Sequence, residues 1–572
     1  MKMKDKRWEI ANPISEEVHD ALKDYDPIIR QILFNRGISS SEQAEDFINA
    51  AAPIESDPFN MSSMGEAVDR ISHAIDKNQS IVIYGDYDVD GVTATALLTN
   101  SLQLSGAQVK SYIPDRFEEG YGLNPDAIKT LHDQGVQLVI TVDCGIRAVE
   151  EIDYANQLGI DMIITDHHRP GVELPNALAV INPRRQDDPY PDKDLTGVGL
   201  AYKLLDALNQ QSNKTNSKSI FPDPELYLDF VALGTVADLA PLLGENRALV
   251  RGGIKQLRSS TRPGLKALIG VTSQNPSKIN SSTIGYVLGP RLNAAGRLDT
   301  AQNSLDLLLA ESQSEAGLLA QKLESSNRER QRLTQEQQKK AEEIVLKTET
   351  EAPLIFVSGP EFEQGIIGLV ASRLTEKYYR PAVVIALGEE TSRGSCRSIP
   401  EFHITNALEE CSELLIRFGG HSAAAGFSIK NENIYDLSNQ LTGIAEKELG
   451  TADLQQTIKA DIDLQLSDLN FELLDKLEHL QPTGRGNPPA HFASFGVRVL
   501  GKKNVGNDKQ HLKLVLTDGH IKYDAIAFRQ GYWQDVMPEF INIIYTFELN
   551  EYNGRSTLQL NIKDIKSWQV ID

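Results

Sequence analysis

The chain has 572 residues, 40% hydrophobic and 24% charged, with a formal net charge of −23. That length exceeds what one hydrophobic core supports and implies roughly three or four domains, and no apolar run approaches the ~18 residues needed to cross a bilayer, so no membrane association is expected. The acidic balance argues against a nucleic-acid binder that is basic overall, but it leaves room for a locally basic groove, and a metal site would itself contribute carboxylates.

In chain order, the start MKMKDKRWEI has basic residues with no apolar run behind them, unlike a secretory signal. Residues 1–60 read as a helical lead-in, with PISEEVHDALKDY and SSEQAEDFI carrying Ser and acidic helix starts. From about 80 to 245, strand-like runs alternate with helical stretches: IVIYGD, QVKSYIPD, VQLVITVDCG, DMIITDHH and ALAVINP. Runs such as VQLVITVD are apolar on both faces, as buried parallel strands are. Alternating βα units imply an open parallel sheet with ligands at the carboxyl ends of its strands.

A helical region follows, from LYLDFVALGTVADLAPL through GLKALIG. Residues 302–349 contain no proline and only Gly317, and read largely as one long charged helix, either a connector between lobes or a surface helix of one domain. A second α/β unit comes next, with PLIFVSG, GIIGLVASRLTEKY, PAVVIAL and RFGGHSAAAGFSI. From about 455 short strands with Asn-Gly and Asp-Gly turns predict a small β-barrel, with an OB-fold as the leading candidate. The expected boundaries are 1–60, 61–300, 301–350, 351–452 and 453–572. Cys144, Cys396 and Cys411 are isolated and form no CxxC pair, which suits a reducing cytoplasm better than a disulfide framework or a zinc ribbon.

Four segments carry chemistry: GDYDVDG at 85–91, TVDCGI with Asp143, ITDHHRP with Asp166, His167 and His168, and GTVADLAP with Asp238. Each alone has an ordinary explanation, since an Asp after a strand is most often a helix N-cap. Together they put Asp or His at three consecutive strand ends that converge on one crevice. Several carboxylates there cannot all ionise unless a multivalent cation offsets their repulsion. Carboxylates with one or two imidazoles suit Mn²⁺ or Mg²⁺, and a set large enough for two ions fits phosphate-ester hydrolysis. Asp143 is the natural bridging carboxylate, one histidine would bind metal and the other would meet a phosphate oxygen. GVGLAY at 197–202 superficially looks like a dinucleotide loop but lacks the third glycine, and is set aside.

Asp166-His167-His168 with DYDVDG, TVDCG and GTVADL resembles the DHH phosphoesterase superfamily. GGHSAAAGF at 419–427 resembles the accessory DHHA1 domain found in many members. PRLNAAGRLDT at 290–300 and RGSCRSI at 393–399 narrow the resemblance to the bacterial single-strand-specific exonucleases of that superfamily, over nearly the whole chain. The fold this implies is a parallel-sheet α/β DHH domain joined by a long helix to a second α/β DHHA1 domain, with a C-terminal OB-like barrel. The activity implied is 5′-to-3′ hydrolysis of single-stranded DNA by two Mn²⁺ or Mg²⁺ ions, in repair and recombination. By the same resemblance, Asp88, Asp90, Asp143, His167 and Asp238 would ligate metal. His168 would be the catalytic, phosphate-facing imidazole, and Asp86 a near-site carboxylate counted with it as catalytic. Arg291, Asn293 and Arg297 would line the substrate path, and Ser395, Arg397 and His421 would contact phosphates, including a 5′-terminal one. A cytoplasmic monomer is expected, with helicases and single-strand-binding proteins as protein partners.

The barrel region adds a signal of its own. Gly496 to Gln530 holds seven Lys or Arg (Arg498, Lys502, Lys503, Lys509, Lys513, Lys522, Arg529) against three Asp. With Tyr523 and Phe528 nearby, this suits backbone tracking and base stacking along a single strand. Oligonucleotide or cyclic-dinucleotide phosphodiesterases and pyrophosphatases are the alternatives within the superfamily, but they would not need the basic barrel or PRLNAAGR. A scaffold that had lost its metals would be expected to have lost aspartates, and here the set is intact.

Overall fold

A computed structural model of the protein describes every residue except 1–5, 51–55, 117–118, 121, 216–218, 348–351, 451–452, 507, 553–554 and 569–572. The chain divides into two compact units. The larger comprises Glu9–Gly296, Thr300–Leu323 and Lys459–Asp572, and the smaller Met1–Trp8, Arg297–Asp299 and Glu324–Ile458.

In the larger unit, strands β1 (Ser80–Tyr84), β2 (Gln108–Tyr112), β3 (Leu138–Val142), β4 (Asp161–Thr165) and β5 (Ala179–Ile181) form a sheet in the order β2-β1-β3-β4-β5. Every neighbouring pair is parallel. All five residues of β3 are buried, because helices cover both faces. On one face Ile83, Leu138 and Ile163 pack with α1 (Val89–Leu104), α4 (Gly197–Thr215) and α5 (Leu228–Ala237). On the other, Val82, Val139 and Ile164 pack with α2 (Pro125–Asp133) and α3 (Val149–Gln157). Helices α1 and α5 are buried almost all round, enclosed by the core.

The segment expected as one long helix is broken. A short helix ends at Leu309, and after Ala310–Ser312 a 35-residue helix resumes from Gln313 to Lys347. Ser312 restarts it by accepting from Glu315 N, an N-capping interaction. Its buried side chains form one stripe, including Ala316, Ala320, Leu323, Asn327, Thr334, Gln337, Ala341 and Val345, at helical spacing. Ion pairs such as Arg332 with Glu329 and Glu336 lie outside the stripe. The two units divide the residues of this helix between Leu323 and Glu324.

The smaller unit has strands β6 (Ile355–Gly359), β7 (Ala382–Ala386), β8 (Thr391–Arg397), β9 (Leu415–His421) and β10 (Ala424–Lys430). Their order is β9-β10-β8-β7-β6, and only β6 and β7 run parallel. GGHSAAAG is therefore the tip of an antiparallel hairpin.

The barrel has strands β11 (Phe492–Val505), β12 (His511–Thr517), β13 (Lys522–Ala527), β14 (Phe540–Tyr552) and β15 (Arg555–Ser567). They run β11-β12-β13-β15-β14, and pairing of β14 with β11 closes five strands into a ring. The Asp518-Gly519 turn behaves as its residues predict: Asp518 Oδ1 accepts from His520 N and Ile521 N, and Gly519 has φ 98°. The Asn553-Gly554 turn lies outside the described residues. Leu22, Ile29, Ile32, Leu33 and Ala44 of the amino-terminal helices share a core with Phe492, Leu514 and Ile543, so the lead-in packs on the barrel.

All seven basic residues between Gly496 and Gln530 are exposed, and Lys503 pairs directly across from Lys513. Phe528 is exposed too, but Tyr523 corrects the stacking expectation. It is 5% exposed, and its hydroxyl donates to the Leu469 carbonyl inside the barrel. Period-two alternation along β13 aims Tyr523 inward with Ala525 and Ala527.

Candidate metal centre

The loop after β1 bends back on itself where only glycine fits. A Cβ at Gly91 would stand 2.6 Å from Asp86 N and O. Asp88 is the N-cap of α1, its Oδ1 accepting from Asp90 N at 2.9 Å and Gly91 N at 3.2 Å. Capping thus engages one Asp88 oxygen. Asp86 is buried, and its Oδ1 has no hydrogen-bond partner among the described residues.

Asp90 is held from across the crevice. Its carboxylate accepts from Gly197 N at 2.6 Å and Val198 N at 2.9 Å, the first amides of α4. GVGLAY, set aside above, is thus the amide clamp for a candidate ligand. Gly197 also admits Asp143, because a Cβ there would lie 2.6 Å from Asp143 Cβ. Asp143 follows β3 in a left-handed conformation, φ 61°.

After β4, His167 Nε2 lies 3.0 Å from Asp143 Oδ1 and 3.8 Å from Asp90 Oδ2. His168 Nδ1 lies 2.8 Å from Asp166 Oδ1, which also accepts from His168 N. Asp166 Oδ2 accepts from Ile146 N. Asp166 is thereby committed to orienting His168, a role its place in the motif did not reveal, although an Asp two residues before a backbone donor often makes this bond. Asp238 is the C-terminal cap of α5. Among the described residues, three sets have their ligand atoms within 4.8 Å of one another: Asp143, His167 and His168; Asp90, His167 and Asp238; and Asp86, Asp88 and Asp143. Asp143 and His167 each belong to two of the sets.

The electrostatics are those of a cation site. Burial first, then repulsion from neighbouring aspartates, lifts Asp86, Asp90 and Asp143 well above the ordinary carboxylate range. Burial and Asp88 push Asp238 up to about 7, with His168, Arg184 and Arg485 pulling the other way. Burial opposes a charged His168, but the hydrogen bond and charge of Asp166 outweigh it and raise His168 to about 9. The same bond keeps buried Asp166 below its ordinary value. A hard, oxygen-rich set with imidazole donors and an unsatisfied buried carboxylate oxygen fits Mn²⁺ or Mg²⁺.

Helix α6 (Gly289–Leu298) lies on the acidic loop, where a Cβ at Gly296 would be 2.8 Å from the Tyr87 carbonyl. It carries Arg291 and Asn293, both half-buried, and Arg291 Nη1 donates to Val287 O at 2.7 Å. Arg297 belongs to the smaller unit, where Nη1 lies 3.4 Å from Gly365 O. There Ser395 and Arg397 are on β8, with Arg397 Nη1 3.3 Å from Ser395 Oγ. Helix α7 (Ile367–Tyr378) meets them through Gly368, where a Cβ would stand 3.1 Å from Ser395 Oγ. Exposed His421 ends β9, and Ala424 pairs with both His421 and Arg397.

Three family models match the chain: the DHH family N-terminal domain at residues 80–235, the DHHA1 domain at 351–447 and the RecJ OB domain at 460–564. The single-stranded-DNA-specific exonuclease RecJ of Bacillus subtilis (strain 168) is 38% identical over 99% of this chain and 72% of its own length. The crystal structure of Thermus thermophilus RecJ in complex with Mn²⁺ superposes with a TM-score of 0.85 at 28% identity, covering 99% of this chain and 80% of that one. The corresponding complex with Mg²⁺ gives 0.79 at 27% identity, over 99% and 79%.

Proposed function

Because the chain belongs to the RecJ family of DHH phosphoesterases, we propose that it is a single-stranded-DNA-specific exonuclease that hydrolyses phosphodiester bonds from the 5′ end. The observation that carries this reading is the convergence of Asp86, Asp88, Asp90, Asp143, His167, His168 and Asp238 on one crevice at the carboxyl ends of β1, β3 and β4 and at the end of α5.

Asp88, Asp90, Asp143, His167 and Asp238 would hold two divalent ions, with Asp143 shared by two of the ligand sets and Asp86 as the adjoining carboxylate. When bound, such ions lower the pKa of water and offset charge at the phosphate. His168, kept cationic by Asp166, donates from Nε2 to a phosphate oxygen. Arg291, Asn293 and Arg297 guide the strand. Ser395 and Arg397, beside the first turn of α7, join His421 in binding phosphate, including the 5′-terminal group. The domains follow the boundaries 1–60, 61–300, 301–350, 351–452 and 453–572. The enzyme works as a monomer in the cytoplasm, in repair and recombination, with helicases and single-strand-binding proteins as partners.

The test is incubation with Mn²⁺ and oligonucleotides labelled at either end. Stepwise loss from the 5′ end of single strands, with duplexes spared, is expected. Turnover of pyrophosphate or dinucleotides without polymer digestion overturns the reading.

A further inference from the structure

Arg485, in the C-terminal third of the chain, lies against the residue that follows Asp238. The segment Leu480–Asn487, LQPTGRGN, precedes the barrel and is docked on the loop that follows α5. Its main chain is held along its length. Arg247, 2% exposed, donates to the carbonyls of Leu480, Gln481 and Pro482. Ser281 Oγ donates to Thr483 O, and buried Asn487 donates Nδ2 to Leu480 O at 2.8 Å and Pro482 O at 2.9 Å. At the tip, Leu242 N donates to Arg485 O at 2.8 Å and Gly484 bridges to Asn487. The approach is close enough that a Cβ at Gly484 would lie 2.7 Å from Leu242 Cδ1, and Gly486 takes φ 78°.

This scaffold fixes the backbone of Arg485 without needing its side chain. Arg485 is exposed, and among the described residues its guanidinium bonds Leu239 O alone, from Nη1 at 3.3 Å. Leu239 directly follows Asp238, has φ 61° and is 64% exposed. The charge sits near enough to act on the Asp238 carboxyl. That one long bond leaves most of a rigid fork of donors for another acceptor. A polyanionic strand entering a crevice of carboxylates on a chain of charge −23 needs cations at the rim.

We propose that Arg485 binds a backbone phosphate of the single strand beside the Asp238 side of the metal centre. A C-terminal segment thereby supplies a substrate contact to the catalytic crevice, and Arg247, Ser281 and Asn487 hold that contact in register. The assignment rests on the nuclease reading above.

The test uses the intact chain in EDTA, so that strands bind without being cut, and reads fluorescence anisotropy across a salt series. Arg485→Met is expected to weaken binding about tenfold and to reduce the log–log salt slope by about 0.7, the contribution of one phosphate on a single strand. Arg485→Lys should restore the slope and only part of the affinity, since a point charge replaces a fork. Oligonucleotides with one neutral methylphosphonate, moved linkage by linkage, locate the contact: the difference between wild type and each variant should vanish at one linkage. With Mn²⁺ present, the defect should fall on KM more than on kcat. An unchanged salt slope, or a difference equal at every linkage, overturns the assignment. If melting curves show that Arg485→Met does not fold, the Arg485→Lys linkage scan decides by the same criterion. Wild-type protein that fails to digest single strands would sink the nuclease reading, whereas normal digestion with an indifferent Arg485 sinks only this one.

Discussion

The two sheets place their proposed functional groups by different geometry. In the parallel sheet of the larger unit β1, β3 and β4 are buried on both faces, so the proposed ligands sit beyond their carboxyl ends, in the loops, at the start of α1 and at the end of α5. Asp86, Asp143 and His167 are each within two residues of the end of a strand. In the smaller unit's mixed sheet, Ser395, Arg397 and His421 are strand residues, and the first two alternate with buried Ser392, Gly394 and Cys396. Loops can gather like charges from distant parts of the sequence, which a cation must then neutralise. A strand face presents fixed, evenly spaced donors suited to a bound anion.

The sharpest way to break this contrast is at the carboxylate shared by two of the ligand sets. Asp143→Ala should lower kcat about a thousandfold or more while leaving the melting curve in place; retained cleavage would remove Asp143 from the centre. Gly197→Ala acts one layer further out, pushing against Asp143 and straining the amide clamp on Asp90. Titration calorimetry should show Mn²⁺ affinity reduced by about 10–100-fold, and wild-type affinity would mean the clamp is irrelevant to the metal. On the strand-face side, Arg397→Met should raise KM about tenfold for 5′-phosphorylated strands, with kcat nearly unchanged and 5′-hydroxyl strands less affected. Equal effects on both substrates would detach Arg397 from the terminal phosphate.

The smallest effect concerns pH. Burial and the neighbouring Asp88 push Asp238 up to about 7 in the folded chain, from an ordinary value of 3.8. Below the lower value both states are protonated; between the two the folded state holds the extra proton, so metal-free stability declines as pH rises. The melting temperature in EDTA should fall by a few degrees from pH 5 to pH 7, and Mn²⁺ should raise it and flatten the slope. A metal-free slope of opposite sign would contradict the crowding of carboxylates.

Much of this was legible in one dimension because it depends on local patterning. Two-faced apolar runs mark buried parallel strands, and Asp or His at their ends marks the crevice, since topology forces those ends together. The alternation in KYDAIA even contained the correction to Tyr523, which points inward by period two. The break at Ala310–Ser312 was less legible, because neither glycine nor proline marks it.

Chemistry and order were thus written in the residues: which groups meet, what charge they carry, and that a cation must accompany them. Only the folded chain decided how they are held. Asp88 is both a cap and a candidate ligand, Asp90 is gripped by amides a hundred residues away, Asp166 serves His168, and Arg485 bonds the carbonyl of Leu239, next to Asp238, from a loop nearly 250 residues further on. Such support comes from backbone groups and glycines whose identity carries no chemical signature, so their role exists only once distant segments are brought into contact.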